Sequence, residues 1–135
     1  MRSNTTTTTT TSTGGSVHLK RRFDCSAIGV VYAILCQRCH MLYIEETSRK
    51  LADRFGEHLR SVEGYNHHSR YHGGGFLVAE RHFNLADHNN IQDMKVSVVK
   101  QVNGGTAPRQ REERRLIFKL KTLAPSGMNI EFKFI

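Results

Sequence analysis

The segment Ile28 to Leu35 is dense in β-branched, aliphatic and aromatic side chains. A short apolar run of that composition reads as a buried strand. Four residues, Cys36-Gln37-Arg38-Cys39, follow as a turn, and Met41 to Glu45 reads as a second strand. Together they predict a β-hairpin whose turn carries two thiols. Whatever this chain folds into must be built around that hairpin.

The rest supplies what would pack against it. Thr47 or Ser48 is placed to cap a helix, in which Leu51, Phe55, Leu59 and Val62 recur as an amphipathic stripe. Gly64 to Gly75 reads as a loop, and Phe76 to Phe83 as a short helix. Met94, Val96 and Val98 alternate with Lys95 and Ser97, a half-buried strand. After a loop from Asn103 to Pro108, Gln110 to Leu123 reads as a second strong helix with Leu116, Ile117, Leu120 and Leu123 on one face. A turn from Pro125 to Gly127 leads to Ile130, Phe132 and Phe134, which alternate as a terminal strand would. The fold class is therefore α+β: a small antiparallel β-sheet, hairpin plus third strand, flanked by helices. Residues 1–22, with seven consecutive Thr and then Lys20-Arg21-Arg22, have little apolar content and are expected to be a disordered tail before a domain spanning 23–135.

At 135 residues one domain is expected, with enough core to fold without disulfides. The longest apolar run, Ala27 to Leu35, is far shorter than the ~20 residues of a membrane span. The polar N-terminus does not resemble a secretory signal. An intracellular, nuclear location is expected. Lys and Arg total 20 against 12 acidic residues, a formal charge of +8 with pI near 9.8. That balance makes nucleic acid the leading partner, because a basic surface gains from releasing counterions. The three cysteines, Cys25, Cys36 and Cys39, argue against a disulfide framework.

Three features sit awkwardly in a plain core. Arg54 and His58 lie four apart, at the margin of the first helix's apolar stripe. They are either a snorkelling Arg and a boundary His or groups aimed at a ligand. Glu113 falls within the apolar stripe of the second helix, where an ionised carboxylate needs a cation, Arg or metal. Glu112 lies nearer the edge, and a plain helix-dipole role for Glu113 stays open. Cys36-x-x-Cys39 is half of a tetrahedral zinc site, and His82 and His88 are of the right type to complete it.

Val30-Val31-Tyr32 and Tyr43-Ile44-Glu45, on the two strands of one hairpin, resemble the paired signatures of the GIY-YIG nucleases. Arg54 and His58 match that family's helix Arg and the His one turn on. Glu113, in Glu-Arg-Arg-Leu-Ile, matches its metal-binding Glu, and Asn129 matches the Asn after this helix. The resemblance covers about residues 25 to 131. The Cys pair in the turn, His82-Phe83-Asn84 and His88 are similar to the endonuclease domain of Penelope-like retroelements, in which these Cys and His residues are thought to bind zinc and a reverse transcriptase lies upstream in a longer parent protein. One departure is chemical: Glu45 stands where the family has Gly.

The resemblance implies a DNA endonuclease that hydrolyses phosphodiester bonds with Mg2+ (or Mn2+) held by Glu113 and a structural Zn2+ at Cys36, Cys39, His82 and His88. Tyr32 would be general base, Tyr43 would orient water or phosphate, and Arg54 would stabilise developing charge. His58 would assist proton transfer, and Asn129 would steady the site. Arg114, Arg115, Lys119 and Lys121 would contact the backbone. Glu45 adds bulk and negative charge beside that site, so poor cleavage is expected. Two rivals are a catalytically inactive nucleic-acid-binding module and a zinc-stabilised protein-interaction domain.

Overall fold

The computed structural model of the chain describes residues 6–10, 16–20, 26–63, 82–83 and 90–130. At its centre is the expected hairpin: β3, Ile28–Cys36, pairs antiparallel with β4, Leu42–Lys50. On its other side β3 pairs antiparallel with β5, Met94–Gln101. Helix α1, Leu51–Glu63, follows β4, and helix α2, Thr106–Leu120, follows β5. The class is α+β, as the hydrophobic patterns predict.

β3 is central, and its alternation explains why it reads as continuously apolar. Val30, Tyr32, Ile34 and Cys36 pack in one core layer with Leu51 and Val62 of α1, together with Phe83 and Met94. Val31, Ala33 and Leu35 pack in the other with Leu116, Ile117 and Leu120 of α2. Each face thus has a helix on it, and neither requires a polar residue. Gly29 takes a left-handed φ of 72° at the bulge between Ile28 and Val30, a conformation an L side chain resists. A second irregularity against β5 falls at Val31 and Tyr32. It re-aims the strand where the first signature tyrosine sits.

Several boundaries differ from expectation. β4 continues to Lys50 rather than ending at Glu45, because β3 keeps offering partners as far as Ile28. The helix therefore starts without Thr47 or Ser48 as its cap: Thr47 Oγ1 accepts from the Arg49 amide, and the Leu51 amide donates to the Ala27 carbonyl at 2.9 Å. α2 begins four residues early, at Thr106, since Pro108 in a first turn gives up an amide that has no helical partner anyway. It ends at Leu120, where Lys121 adopts the left-handed conformation and the Thr122 amide closes back on Ile117 at 3.1 Å.

The largest departure is at the N-terminus. Within the expected disordered tail, Thr6–Thr10 and Ser16–Lys20 form strands β1 and β2, and the sheet runs β1-β2-β5-β3-β4. Low hydrophobicity argued for disorder, but threonine's β-branch favours extended backbone. β2 meets β5 through one pair, Lys20 with Val98. The expected loop at 64–75, nearly all of the short helix at 76–83, and the terminal strand from 131 on lie outside the described residues.

Candidate functional site

β4 is an edge strand, and several of its outward backbone groups are answered by Met128, Asn129 and Glu113. The Met128 amide donates to the Leu42 carbonyl at 2.9 Å. Asn129 clamps the next position with both ends of its amide: Oδ1 accepts from the Ile44 amide at 2.9 Å, and Nδ2 donates to the Ile44 carbonyl at 3.0 Å. Thr122 Oγ1 holds the same Asn129 Oδ1 at 2.7 Å. Two residues further, the Glu46 amide donates to Glu113 Oε2 at 2.8 Å. Asn129 and Glu113 thus act as a substitute strand for an edge that would otherwise be open. Glu113 is 1% exposed and does lie in the buried stripe of its helix. Buried Arg109, one turn before it, donates through Nε to Glu46 Oε1 at 2.9 Å.

Tyr32, Tyr43, Arg54 and His58 come together on the α1 side of the sheet, around Glu45. Tyr32 and Glu45 are directly opposite in the β3–β4 ladder, and Tyr43 lies two residues before Glu45 on the same face. Tyr43 donates its hydroxyl to Glu45 Oε1 at 2.7 Å. Arg54 donates Nε to Glu45 Oε2 at 2.7 Å, with Nη2 2.6 Å from the same oxygen, and Nη1 to Glu57 Oε1 at 2.6 Å. Arg49 grips Glu57 from the far side. His58, fully buried, has Nε2 3.0 Å from the Tyr32 hydroxyl and 3.5 Å from Glu45 Oε1. The two tyrosine rings meet it edge-on. Among the described residues, its Nδ1 has no hydrogen-bond partner.

Electrostatics follow from the burial. Burial first, and then the Glu45 charge, push the Tyr32 hydroxyl well above its ordinary range, against a smaller lowering by Arg54. Tyr43 is pushed up for the same reasons, with Glu113 a minor contributor. Both stay phenols at neutral pH. The Arg54 guanidinium is desolvated, but Glu45 and its other anionic neighbours hold it firmly charged.

Helix spacing marks Arg54 and His58 and the resemblance marks Tyr32 and Tyr43, and the fold brings all four together. What spacing did not reveal is where the charges go. Glu45, 4% exposed, is a buried acceptor at the centre of the cluster rather than a carboxylate at its rim. Glu46, Glu57, Thr122 and Arg109 hold the neighbouring groups in place, and none of them stood out. Arg109 alone left a signal, four residues before Glu113 on the same helical stripe.

At the hairpin turn, Cys36, Cys39 and His82 present ligand atoms that all lie within 4.8 Å of one another, a group that could hold a metal ion. Cys39 Sγ and His82 Nε2 are 3.4 Å apart, close to the ~3.5 Å that two ligands of one tetrahedral zinc would keep. Burial pushes the Cys36 thiol up to about 11. His88, expected as a fourth ligand, lies outside the described residues. Glu113 belongs to no such group among the described residues. One of its oxygens accepts from the Glu46 amide and almost none of it is accessible, and nothing among the described residues supports a Mg2+ or Mn2+ site there.

Of the residues expected to touch a nucleic-acid backbone, Arg115, Lys119 and Lys121 are exposed and Arg114 is half-buried. Arg115 also grips Glu112, with Nε 2.8 Å from Oε1. In comparisons with known proteins, the chain matches no family model, no curated protein and no solved structure.

Proposed function

We propose that this domain is a nucleic-acid-binding module built like a GIY-YIG nuclease, with its hydrolytic site held closed by Glu45. The observation that carries the reading is the Glu45 carboxylate seated against both Arg54 and Tyr43. In the nuclease reading, those two donors would face a phosphate oxygen. Arg54 is the group that would stabilise charge in a transition state, and here a side-chain anion already satisfies it. With both tyrosines held as phenols, no described group of the cluster is poised as a base toward water. Charge supports the binding half: +8 overall, with basic side chains along the open side of α2.

We further propose that the metal at Cys36, Cys39 and His82 is zinc and that its role is structural. Two thiols on a hairpin turn and an imidazole brought against them are a donor set that zinc prefers, and a fourth ligand would complete the tetrahedron. DNA is the proposed partner, and a reverse transcriptase in a longer parent protein is consistent with the resemblance.

Two measurements on the full chain test the reading. Binding to DNA should weaken steeply as salt rises. Nicking of supercoiled plasmid in Mg2+ should be no faster for wild type than for Glu113→Gln, with circular dichroism confirming that the variant folds. Wild-type nicking clearly above that variant overturns the closed site. Absence of salt-dependent binding overturns the nucleic-acid reading and leaves the protein-interaction domain.

A further inference from the structure

Helix α2 buries Arg109, Glu113, Leu116, Ile117 and Leu120. At 100° per residue, the direction opposite that stripe is occupied by Phe118 and Arg111, with Arg114 and Arg115 on either side. Phe118 is 75% exposed, the most exposed large apolar side chain among the described residues. Its helical neighbours at i−7, i−4 and i−3 are all arginines, and Lys119 and Lys121 follow it. Glu112, at the edge of this face, is tied down by Arg115 and Lys100. A lone exposed phenylalanine is ordinary. A phenylalanine ringed by cations is a different object, because the ring of charge repels most protein cores and attracts a polyanion.

We propose that this face of α2 binds single-stranded nucleic acid, with Phe118 as a stacking platform for an unpaired base. The inference rests on the nucleic-acid reading above and goes beyond it by naming the form of substrate and the contact. Arg111, Arg114, Arg115 and Lys119 supply phosphate contacts, which are blind to sequence. Phe118 supplies what phosphate contacts lack, a π-face that every unpaired base can use and a paired base hides within its stack. A convex helix with one projecting ring suits an open strand better than a groove of duplex DNA, where the ring would have to force two base pairs apart.

The chain contains no tryptophan, so Phe118→Trp creates a single fluorescent reporter at the site. Its emission should be quenched by oligothymidylate and unaffected by linear polyphosphate, which carries charge without bases. By anisotropy, Phe118→Ala should bind labelled oligothymidylate roughly fivefold or more weakly than wild type, with the slope of binding against salt unchanged. Phe118→Tyr should bind like wild type, and the matching oligo(dA)·oligo(dT) duplex should be insensitive to Phe118→Ala. Equal affinity of Phe118→Ala and wild type for the single strand overturns the proposal, as does equal quenching of Phe118→Trp by polyphosphate. If either happens while salt-dependent binding persists, the platform fails and the binding function stands. Failure to bind either nucleic acid removes both.

Discussion

Glu45 shows how one side chain can be read correctly for position and incompletely for consequence. The ladder puts it opposite Tyr32, where a carboxylate would repel a phosphate, and the sequence says as much. Which cation would answer it depends on the side-chain rotamers of Arg54, and no spacing rule supplies those. Glu45→Gly should cost about 3 kcal/mol of stability, because it leaves Arg54 short of a buried partner, as measured by urea denaturation. It should also create an anion seat, so millimolar inorganic phosphate should raise the melting temperature of Glu45→Gly more than that of wild type. Equal shifts for the two proteins would mean that Arg54 does not face a phosphate-sized space. Glu57 gives a pH test. Its two arginine partners, Arg49 first, lower its carboxyl from the usual 4.5 to about 2. A depressed carboxyl stabilises the fold above its unfolded value, and that stability is lost as pH falls from about 4.5 to 2. Glu57 is one-third exposed, so screening limits the effect. Glu57→Gln should therefore cost about 0.5–1 kcal/mol at pH 7 and nearly nothing at pH 2. A cost that does not shrink with acid would assign the loss to packing instead.

At the scale of elements, what was legible was what periodicity controls: β3, β4, β5 and the two helices, with Leu51, Val62, Leu116, Ile117 and Leu120 on their buried faces. Ends were less legible, because a ladder partner decides where β4 stops and a neighbouring carbonyl caps α1. The edge of β4 was invisible in the same way. Asn129 was marked only by resemblance, yet its side chain makes three buried hydrogen bonds, two of them to one residue's backbone. Asn129→Ala should lower stability by about 2–4 kcal/mol, since each abandoned buried group costs about 1–3 kcal/mol. It should also promote aggregation by uncovering the edge. Denaturation midpoints together with light scattering check both, and a variant within 0.5 kcal/mol (about the usual range of a neutral surface change) would show that water replaces the clamp without loss.

On the scale of the molecule, the metal group joins the hairpin turn to a segment more than forty residues away. Cys36 and Cys39 sit on that turn, and His82 belongs to the segment between α1 and β5. Two thiols three apart made half of this site legible. The other half depends on how the chain returns, and pattern cannot specify that. Bound zinc would link folding to metal. Chelation should lower the melting temperature by about 5 °C or more, and Cys36→Ser should start lower and no longer respond to chelator. Purified protein without zinc, together with an unchanged melting temperature for Cys36→Ser, would remove the metal from the fold.

The threonine strand carries a consequence of its own. β1 pairs Thr6 through Thr10 with β2, and the sequence runs Thr from 5 to 11. Identical residues carry no address. Sliding β1 along β2 leaves a threonine opposite each β2 residue, so the identity of the paired residues does not fix the alignment. Three interchangeable alignments would add RT ln 3, about 0.6 kcal/mol of entropy, to the paired state. A homopolymer strand thus gains multiplicity where an ordinary strand gains specificity, and amide exchange in β1 should be averaged and fast beside the slow, singly defined β3.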